Sequence, residues 1–160
     1  MVQRKFFVQK IQFRRVIYVA APILLLVIFN LIVLSLNSNF TTYEGTINLE
    51  DNEKMFYIVH VPKGEGTKPF AIFMHGFSGN SEMMDVIASE LTNNGILTVS
   101  YDNRGHGKSG SRLSNVTYAY DDFLKIVDIG AKFGAKTNSI ALIGHSMGAS
   151  YAQTLTKNDS

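Results

Sequence analysis

The 160-residue sequence contains no cysteine, no tryptophan and only three prolines. The absence of cysteine excludes disulfides, cysteine-based zinc sites, iron–sulfur clusters and thiol catalysis. It leaves the compartment open, because an extracellular domain can do without disulfides. Nothing in the sequence indicates a metal or a cofactor, and no internal repeat is visible. The length predicts about one domain.

Acidic residues are missing from the first 43 positions, where five basic residues occur. The remainder of the chain carries 10 basic and 13 acidic residues, so the formal net charge of +2 comes from the N-terminal arm. A nucleic-acid-binding domain is therefore not expected, because such a domain needs a basic face on the globule itself. The hydrophobic fraction of 46% excludes wholesale disorder.

Charge is also absent from residues 16–36, a long apolar run interrupted only by Pro22 and Asn30. A helix of this length spans about 31 Å, which matches a bilayer hydrocarbon core of about 30 Å. One proline is tolerated in a membrane helix. We therefore predict a transmembrane helix over residues 16–36, with the lipid bilayer as its partner.

The flanking charges predict the orientation of this helix. Arg14 and Arg15 adjoin its N-terminal end, so the positive-inside rule makes residues 1–15 a basic cytoplasmic stub. The rest of the chain is then extracytoplasmic, and the protein crosses the membrane once. Two alternatives stay open. One is a cleaved secretory signal, although the apolar run is long and the cleavage site near Leu36 is poor. The other is a helix buried in a core.

Beyond a polar linker at residues 37–43, strand-like and helical patterns alternate from residue 44 to residue 160. Two short strand-like segments joined by an acidic turn predict an antiparallel hairpin. Continuous apolar runs predict strands buried on both faces, and apolar residues at helical spacing predict helices between them. This alternation predicts the α/β class, with a mostly parallel sheet and helices on both faces. The predicted strands are 46–49, 55–61, 70–74, 96–101 and 139–143, and the predicted helices are 81–94, 120–131 and 147–157.

The segment Gly144-His145-Ser146-Met147-Gly148 fits the pattern G-x-S-x-G. It directly follows a predicted strand and opens a predicted helix, which is the setting of a nucleophile elbow. Side chains at the two glycine positions would collide with the neighbouring strand and helix. The helix that begins at Met147 would direct free N–H groups at an oxyanion over Ser146. We therefore predict Ser146 as a nucleophile; the alternative is an ordinary helix-capping serine.

A second segment, His75-Gly76-Phe77, follows the predicted strand 70–74. A loop at this place can supply another oxyanion donor, the backbone N–H of Phe77. The side chain of His75 is interpreted as a structural imidazole that bonds neighbouring loops.

A third segment, residues 102–109 (DNRGHGKS), follows the predicted strand 96–101. Asp102 and Arg104 are predicted to pair and to hold this loop next to the elbow. His106 lies among glycines, so it is interpreted as part of the loop architecture rather than as a catalytic base.

These three motifs, each just after a strand and in this order, resemble the α/β-hydrolase superfamily over about residues 44–157. The most similar branch contains serine aminopeptidase-like hydrolases and monoacylglycerol lipases. The resemblance implies hydrolysis of a small acyl ester, thioester or amide by Ser146. Serine at the elbow argues against dehalogenase and epoxide hydrolase reactions, which use aspartate. The resemblance further implies Phe77 and Met147 as oxyanion donors, and Gly144, Gly148, His75, Gly76, Asp102 and Arg104 as supports of the elbow and its loops.

The sequence departs from the family in its triad. The family order is serine, acid and then histidine, but all four histidines of this chain precede Ser146. The single later acid, Asp159, would lie about 20 Å away along the next helix. The resemblance therefore predicts an α/β-hydrolase fold truncated after the nucleophile helix, without triad acid or base. Two other functions stay open: a non-catalytic remnant that binds an acyl ligand or partner, and an acyltransferase.

Overall fold

The computed structural model describes residues 2–36, 39–49, 53–110 and 118–157 of the chain. Within the N-terminal helix, it describes the side chains of residues 16–33. The chain divides into two compact units, residues 1–38 and residues 39–160.

The first unit is a single helix, α1 (Val2–Leu36). Its residues 16–33 have a mean hydropathy of 2.8, and none of their side chains is buried. This helix is long and apolar enough to cross a membrane or to act as a signal sequence. The stretch predicted as a stub is also helical from Val2, since residues 2–15 contain no glycine or proline to interrupt a helix.

The second unit is built on a five-stranded mixed sheet with the strand order β1-β2-β4-β3-β5. The predicted hairpin is confirmed, because β1 and β2 pair antiparallel. β4 runs antiparallel to β2, while β3 lies parallel to both β4 and β5. β3, β4 and β5 therefore form the predicted parallel part of the sheet, but β5 is its edge strand, and only its first residue, Ala135, is buried. The strands are β1 (Phe40–Asn48), β2 (Lys54–Pro62), β3 (Lys68–Met74), β4 (Leu97–Tyr101) and β5 (Ala135–Gly144).

The first strand begins earlier than the sequence predicts. Residues 40–43 were expected in the linker, but β1 starts at Phe40 and pairs with β2 over nine positions, from Phe40 with Pro62 onward. The polar side chains of Thr41 and Thr42 are exposed on this edge strand. Polar residues are compatible with such a strand because the pairing satisfies the backbone and the side chains reach solvent.

Three helices cover the sheet: α2 (Asp85–Asn93), α3 (Ala119–Lys132) and α4 (Met147–Lys157). A 3₁₀ turn over Ser81–Met84 precedes α2, with the side chain of Asn80 accepting a hydrogen bond from the Met83 N–H. The predicted helix at 81–94 therefore has a tighter first turn. Gly95 ends α2 with φ of 89°, the left-handed conformation expected of a terminating glycine.

The core lies on both faces of the sheet. Alternate residues of β3 point to opposite faces: Phe70 and Ile72 pack in one cluster with Ile126 and Leu155, from α3 and α4. Phe73 packs in the other cluster, with Met84 and Ala88 around α2. Because both faces are covered, the strand is apolar at consecutive positions, as the sequence predicted.

Candidate active site

The carboxyl ends of the three parallel strands bring the three motifs to one edge of the sheet. In register, Met74 at the end of β3 lies opposite Tyr101 at the end of β4 and Gly144 at the end of β5. The loops that follow these residues therefore meet. This edge is where ligands bind in open α/β sheets.

Ser146 occupies the turn between β5 and α4 in a left-handed backbone conformation, with φ of 54°. Within the described ranges it is the only non-glycine residue with positive φ. Such a conformation costs about 1–3 kcal/mol and persists only where the surrounding structure imposes it. The side chain of Ser146 is exposed at the head of α4. This is the geometry of a nucleophile elbow.

The two glycines of the motif permit this turn. A Cβ atom at Gly148 would collide with the carbonyl oxygen of Met74. A Cβ atom at Gly144 would collide with the backbone of Gly148 and Ala149. The collisions are with backbone, which has no freedom to move aside, so neither position accepts a side chain.

Two backbone N–H groups near Ser146, those of Phe77 and Met147, are the predicted oxyanion donors. Met147 is the first residue of α4. No earlier turn of this helix therefore offers a carbonyl oxygen to accept a hydrogen bond from its N–H. Phe77 lies in the loop after β3. Among the residues that the structure describes, neither N–H donates to a protein acceptor. Free donors at a helix N-terminus can stabilise an oxyanion.

His75 joins two of the loops. Its imidazole is fully buried, with Nδ1 2.7 Å from the Gly76 carbonyl oxygen, and Nε2 accepts a hydrogen bond from the Asn103 backbone N–H at 3.0 Å. Because a backbone N–H only donates, Nε2 carries no proton and Nδ1–H donates to Gly76. Burial lowers the pKa of His75, which favours this neutral form. These bonds agree with a structural imidazole.

The predicted pair of Asp102 and Arg104 is wrong. The Asp102 carboxylate accepts hydrogen bonds from the backbone N–H groups of Ser81, at 2.5 Å, and Lys108, at 2.6 Å. It therefore holds the start of the 3₁₀ turn before α2 together with its own loop. The close approach of this loop requires glycine, because a Cβ atom at Gly107 would collide with the Asp102 carboxylate.

Arg104 pairs with Asp122 on α3 instead. Its Nε donates to Oδ2 at 2.8 Å and its Nη2 to Oδ1 at 2.9 Å, and both side chains are buried. Sequence reasoning missed Asp122, although an acidic residue in the first turn of a helix was visible there. The partner could not be chosen without the tertiary structure, which brings α3 against the loop after β4.

A cavity of about 120 Å³ lies beside the elbow. Phe77 and Met147 line it together with His106, Tyr101 and Tyr151. The Nδ1 of His106 lies 3.0 Å from the Arg104 carbonyl oxygen, and its ring packs against Phe77. Burial and the charge of Asp122 raise the pKa of Tyr101, so its phenol stays neutral. The cavity thus has room for a small group next to Ser146.

No base lies in place for Ser146 within the described part of the chain. The Ser146 hydroxyl forms no hydrogen bond with a histidine there. The same residues contain no cluster of three His, Asp or Glu side chains that could hold a metal ion. The described site therefore combines an elbow with free N–H donors.

Comparison with known protein families gives a match over residues 67–160 to the family described as serine aminopeptidase, S33. A serine hydrolase-like protein of Dictyostelium discoideum is 36% identical over 92 residues. The match covers 57% of this chain and 24% of that protein. The chain thus spans about a quarter of the length of this curated relative.

Solved structures share the fold. Brefeldin A esterase, a bacterial homologue of human hormone-sensitive lipase, has a TM-score of 0.60 and 21% identity, covering 74% of this chain and 35% of its own. A cold-adapted esterase from an Arctic intertidal metagenomic library has a TM-score of 0.63 and 18% identity, and the match covers 76% of this chain and 57% of the esterase. The Pyrococcus furiosus esterase Pf2001 has a TM-score of 0.57 and 27% identity, and the match covers 71% of this chain and 45% of the esterase. The chain therefore belongs to the serine aminopeptidase S33 family and has the α/β-hydrolase fold.

Proposed function

We propose that this chain is the N-terminal part of a membrane-anchored serine hydrolase. Ser146 attacks the acyl carbonyl of a small ester, thioester or amide. The observation that carries the proposal is the strained, exposed Ser146 at the head of α4, beside two unpaired N–H groups.

The chemistry follows from these groups. Attack by the Ser146 Oγ on the carbonyl carbon forms a tetrahedral intermediate with a negatively charged oxygen. The N–H groups of Phe77 and Met147 donate to this oxyanion, and each such donor contributes about 3–4 kcal/mol to transition-state stabilisation. Loss of the alcohol, thiol or amine leaves an acyl-serine. Water then hydrolyses this acyl-serine and restores the hydroxyl.

The general base has to come from elsewhere. Serine is a weak nucleophile until a base accepts its proton, and loss of a triad histidine lowers kcat by a factor on the order of 10⁶. We assign the histidine and the acid to residues outside these 160. The chain spans about a quarter of the length of its Dictyostelium relative, which leaves room for them in a longer protein.

Anchoring is supported by the apolar residues 16–33. The basic residues before them favour a cytoplasmic N-terminus and an extracytoplasmic hydrolase domain. A cleaved signal sequence is the alternative for the same segment.

A fluorophosphonate probe, which phosphonylates activated serines irreversibly with loss of fluoride, tests the nucleophile. It is applied to the product of the native gene in the membranes of its own host. Ser146→Ala is expected to abolish labelling. The matched control Ser150→Ala, at an exposed position one turn further along α4, is expected to leave labelling unchanged. Equal labelling of the wild type and Ser146→Ala would refute the assignment.

A second candidate function is a non-catalytic binding domain, favoured because no histidine among the described residues is hydrogen-bonded to Ser146. Absence of labelling in a correctly folded native product supports it. Ester hydrolysis that disappears in Ser146→Ala refutes it. Acyl transfer shares the acyl-serine, so adding a nucleophilic acceptor and identifying the acylated product separates transfer from hydrolysis.

A further inference from the structure

The cavity beside the elbow contains polar groups that the mechanism proposed above does not use. Its wall comes from the end of β4, the first turns of α4 and the loops after β3 and β4. Met147 and Tyr151 are four residues apart on α4, so they share one face of that helix. Phe77 and Met147, whose N–H groups are the proposed oxyanion donors, line the same cavity. A group attached to a carbonyl held by these donors therefore lies next to the cavity.

Tyr101 brings an unused hydrogen-bond donor to this cavity. Its side chain is only 3% exposed, and its hydroxyl forms no hydrogen bond with the residues that the structure describes. Burial raises the pKa of this phenol, with smaller contributions from Asp122 and Tyr151, so the hydroxyl keeps its proton. A buried hydroxyl without a partner is unfavourable, and a ligand that accepts a hydrogen bond from it removes this penalty.

His106 brings an unused acceptor. Its Nδ1 lies 3.0 Å from the Arg104 carbonyl oxygen, and because a carbonyl oxygen only accepts, Nδ1 carries the proton. In the neutral imidazole, Nε2 is then an acceptor, and it has no hydrogen-bond partner in the described part of the chain. The ring is half-buried and packs edge-on against Phe77. The contact with Phe77 holds this imidazole beside the loop that carries an oxyanion donor.

With His106 neutral, the described wall of the cavity carries no net charge. Arg104 and Asp122 also line it, but they are buried and paired with each other. A carboxylate or an ammonium group would lose its hydration there without gaining a free counter-charge. The cavity therefore favours a neutral group.

The size of the cavity limits this group to a short chain. Its volume is about 120 Å³. A cavity of about 150 Å³ binds benzene, so this one suits a group of about four or five non-hydrogen atoms. A hydroxyl is a neutral group that accepts one hydrogen bond and donates another, as the Tyr101 phenol and the His106 imidazole together require.

We propose that the cavity binds the acyl part of the substrate, and that Tyr101 and His106 select a short acyl chain that bears a hydroxyl. This inference rests on the serine hydrolase function proposed above. The Tyr101 phenol donates to the hydroxyl oxygen of the substrate, and the same hydroxyl donates to Nε2 of His106. The acyl chain stays in the cavity while it is bound to Ser146, whereas the alcohol, thiol or amine departs at the exposed side of this serine. Water then releases a hydroxy acid.

Paired substrates test this selection. The product of the native gene, purified in detergent, is assayed with methyl 3-hydroxybutyrate and with methyl butyrate, which differ only in the hydroxyl. The ratio of the two kcat/KM values is compared between variants, because this comparison cancels the intrinsic reactivity of each ester. One neutral hydrogen bond typically contributes about three- to tenfold. We therefore expect the wild type to prefer the hydroxy ester by about tenfold or more.

Single substitutions separate the two hydrogen bonds. Tyr101→Phe removes the donor and keeps the ring, while His106→Asn keeps an N–H near the Nδ1 position and removes the Nε2 acceptor. Each should lower the ratio about three- to tenfold. The control Tyr43→Phe, which removes the hydroxyl of an exposed tyrosine on β1, should keep the wild-type ratio. Urea unfolding midpoints check that the variants are folded.

An unchanged ratio in one variant would refute the role of that residue. An unchanged ratio in both, or a wild type without preference for the hydroxy ester, would overturn the selection and leave the serine hydrolase intact. Absence of both hydrolysis and Ser146 labelling would overturn the proposed function instead.

Binding then tests the cavity by itself. In Ser146→Ala, ligand-observed NMR compares 3-hydroxybutyramide with butyramide. Tighter binding of the hydroxy amide, lost when Tyr101→Phe is added, would support the cavity assignment. Equal binding of the two amides, or binding of neither, would refute it.

Discussion

Single residues at the elbow are constrained by backbone contacts rather than by side-chain packing. Ser146 adopts a conformation that non-glycine residues rarely occupy, and Gly144 and Gly148 leave room for it. The motif alone predicted these collisions, because strand, turn and helix must fold back within five residues. His75 is constrained differently, through one donated and one accepted hydrogen bond in a buried position.

Gly148→Ala should destabilise the domain, because the added Cβ meets the Met74 carbonyl oxygen and the backbone must shift. Overpacking of this kind costs about 1–3 kcal/mol. Urea unfolding of the full chain in detergent measures the free energy. Gly110→Ala is the control, since its Cβ would meet only the flexible Glu53 carboxylate at 3.1 Å. Equal midpoints for the two variants would contradict the prediction.

His75 should make stability depend on pH. Its pKa is lowered in the folded state by burial, so below about pH 6.5 the unfolded chain binds a proton that the folded chain does not. The free energy of unfolding should therefore fall as the pH drops from 7.5 to 5.5, by up to about 1.4 kcal/mol per pH unit from this group. Urea unfolding across this range should show a smaller slope in His75→Gln. An unchanged slope would argue against this role for His75.

At the scale of elements, buried polar contacts tie the loops to the helices that flank the site. Asp102 joins the loop after β4 to the turn before α2. Arg104 joins the same loop to α3 through Asp122. The order of strands and helices followed from hydrophobic patterning. The hydrogen-bond and ion-pair partners of Asp102 and Arg104 did not, because they depend on which helix packs beside which loop.

Asp122→Ala should be strongly destabilising, by about 3–5 kcal/mol, since it leaves the buried Arg104 guanidinium without its carboxylate. The double variant Arg104→Met/Asp122→Leu should recover part of this loss, because no unpaired buried charge remains. Thermal or urea unfolding of both variants checks the prediction. If the double variant is less stable than Asp122→Ala, the penalty does not come from the unpaired charge.

At the scale of the whole molecule, an apolar helix precedes a mildly acidic α/β unit. The helix has the length and hydropathy of a membrane span. The unit brings its three motifs to one end of the sheet and receives the chain at the other.

The proposed topology predicts the accessibility of single cysteines. In intact cells, Thr67→Cys should react with a membrane-impermeant maleimide, whereas Gln3→Cys should react only after permeabilisation. Carbonate washing should leave both variants in the membrane fraction. Loss of residue 3 from the mature protein, seen as absent labelling and a smaller mass, would favour a cleaved signal. The reverse pattern of labelling would invert the topology.

The sequence by itself determined the class of the fold, the apolar helix and the location of the elbow. Hydrophobic periodicity, glycine spacing and motif order are local properties of the sequence. Residues 139–157, for example, contain the apolar strand, the glycine-flanked turn and the helix in one short segment. Only the tertiary structure decided that Arg104 pairs with Asp122 and that Asp102 holds the turn before α2. These contacts join residues distant in the chain, and their geometry depends on how the sheet and helices pack together.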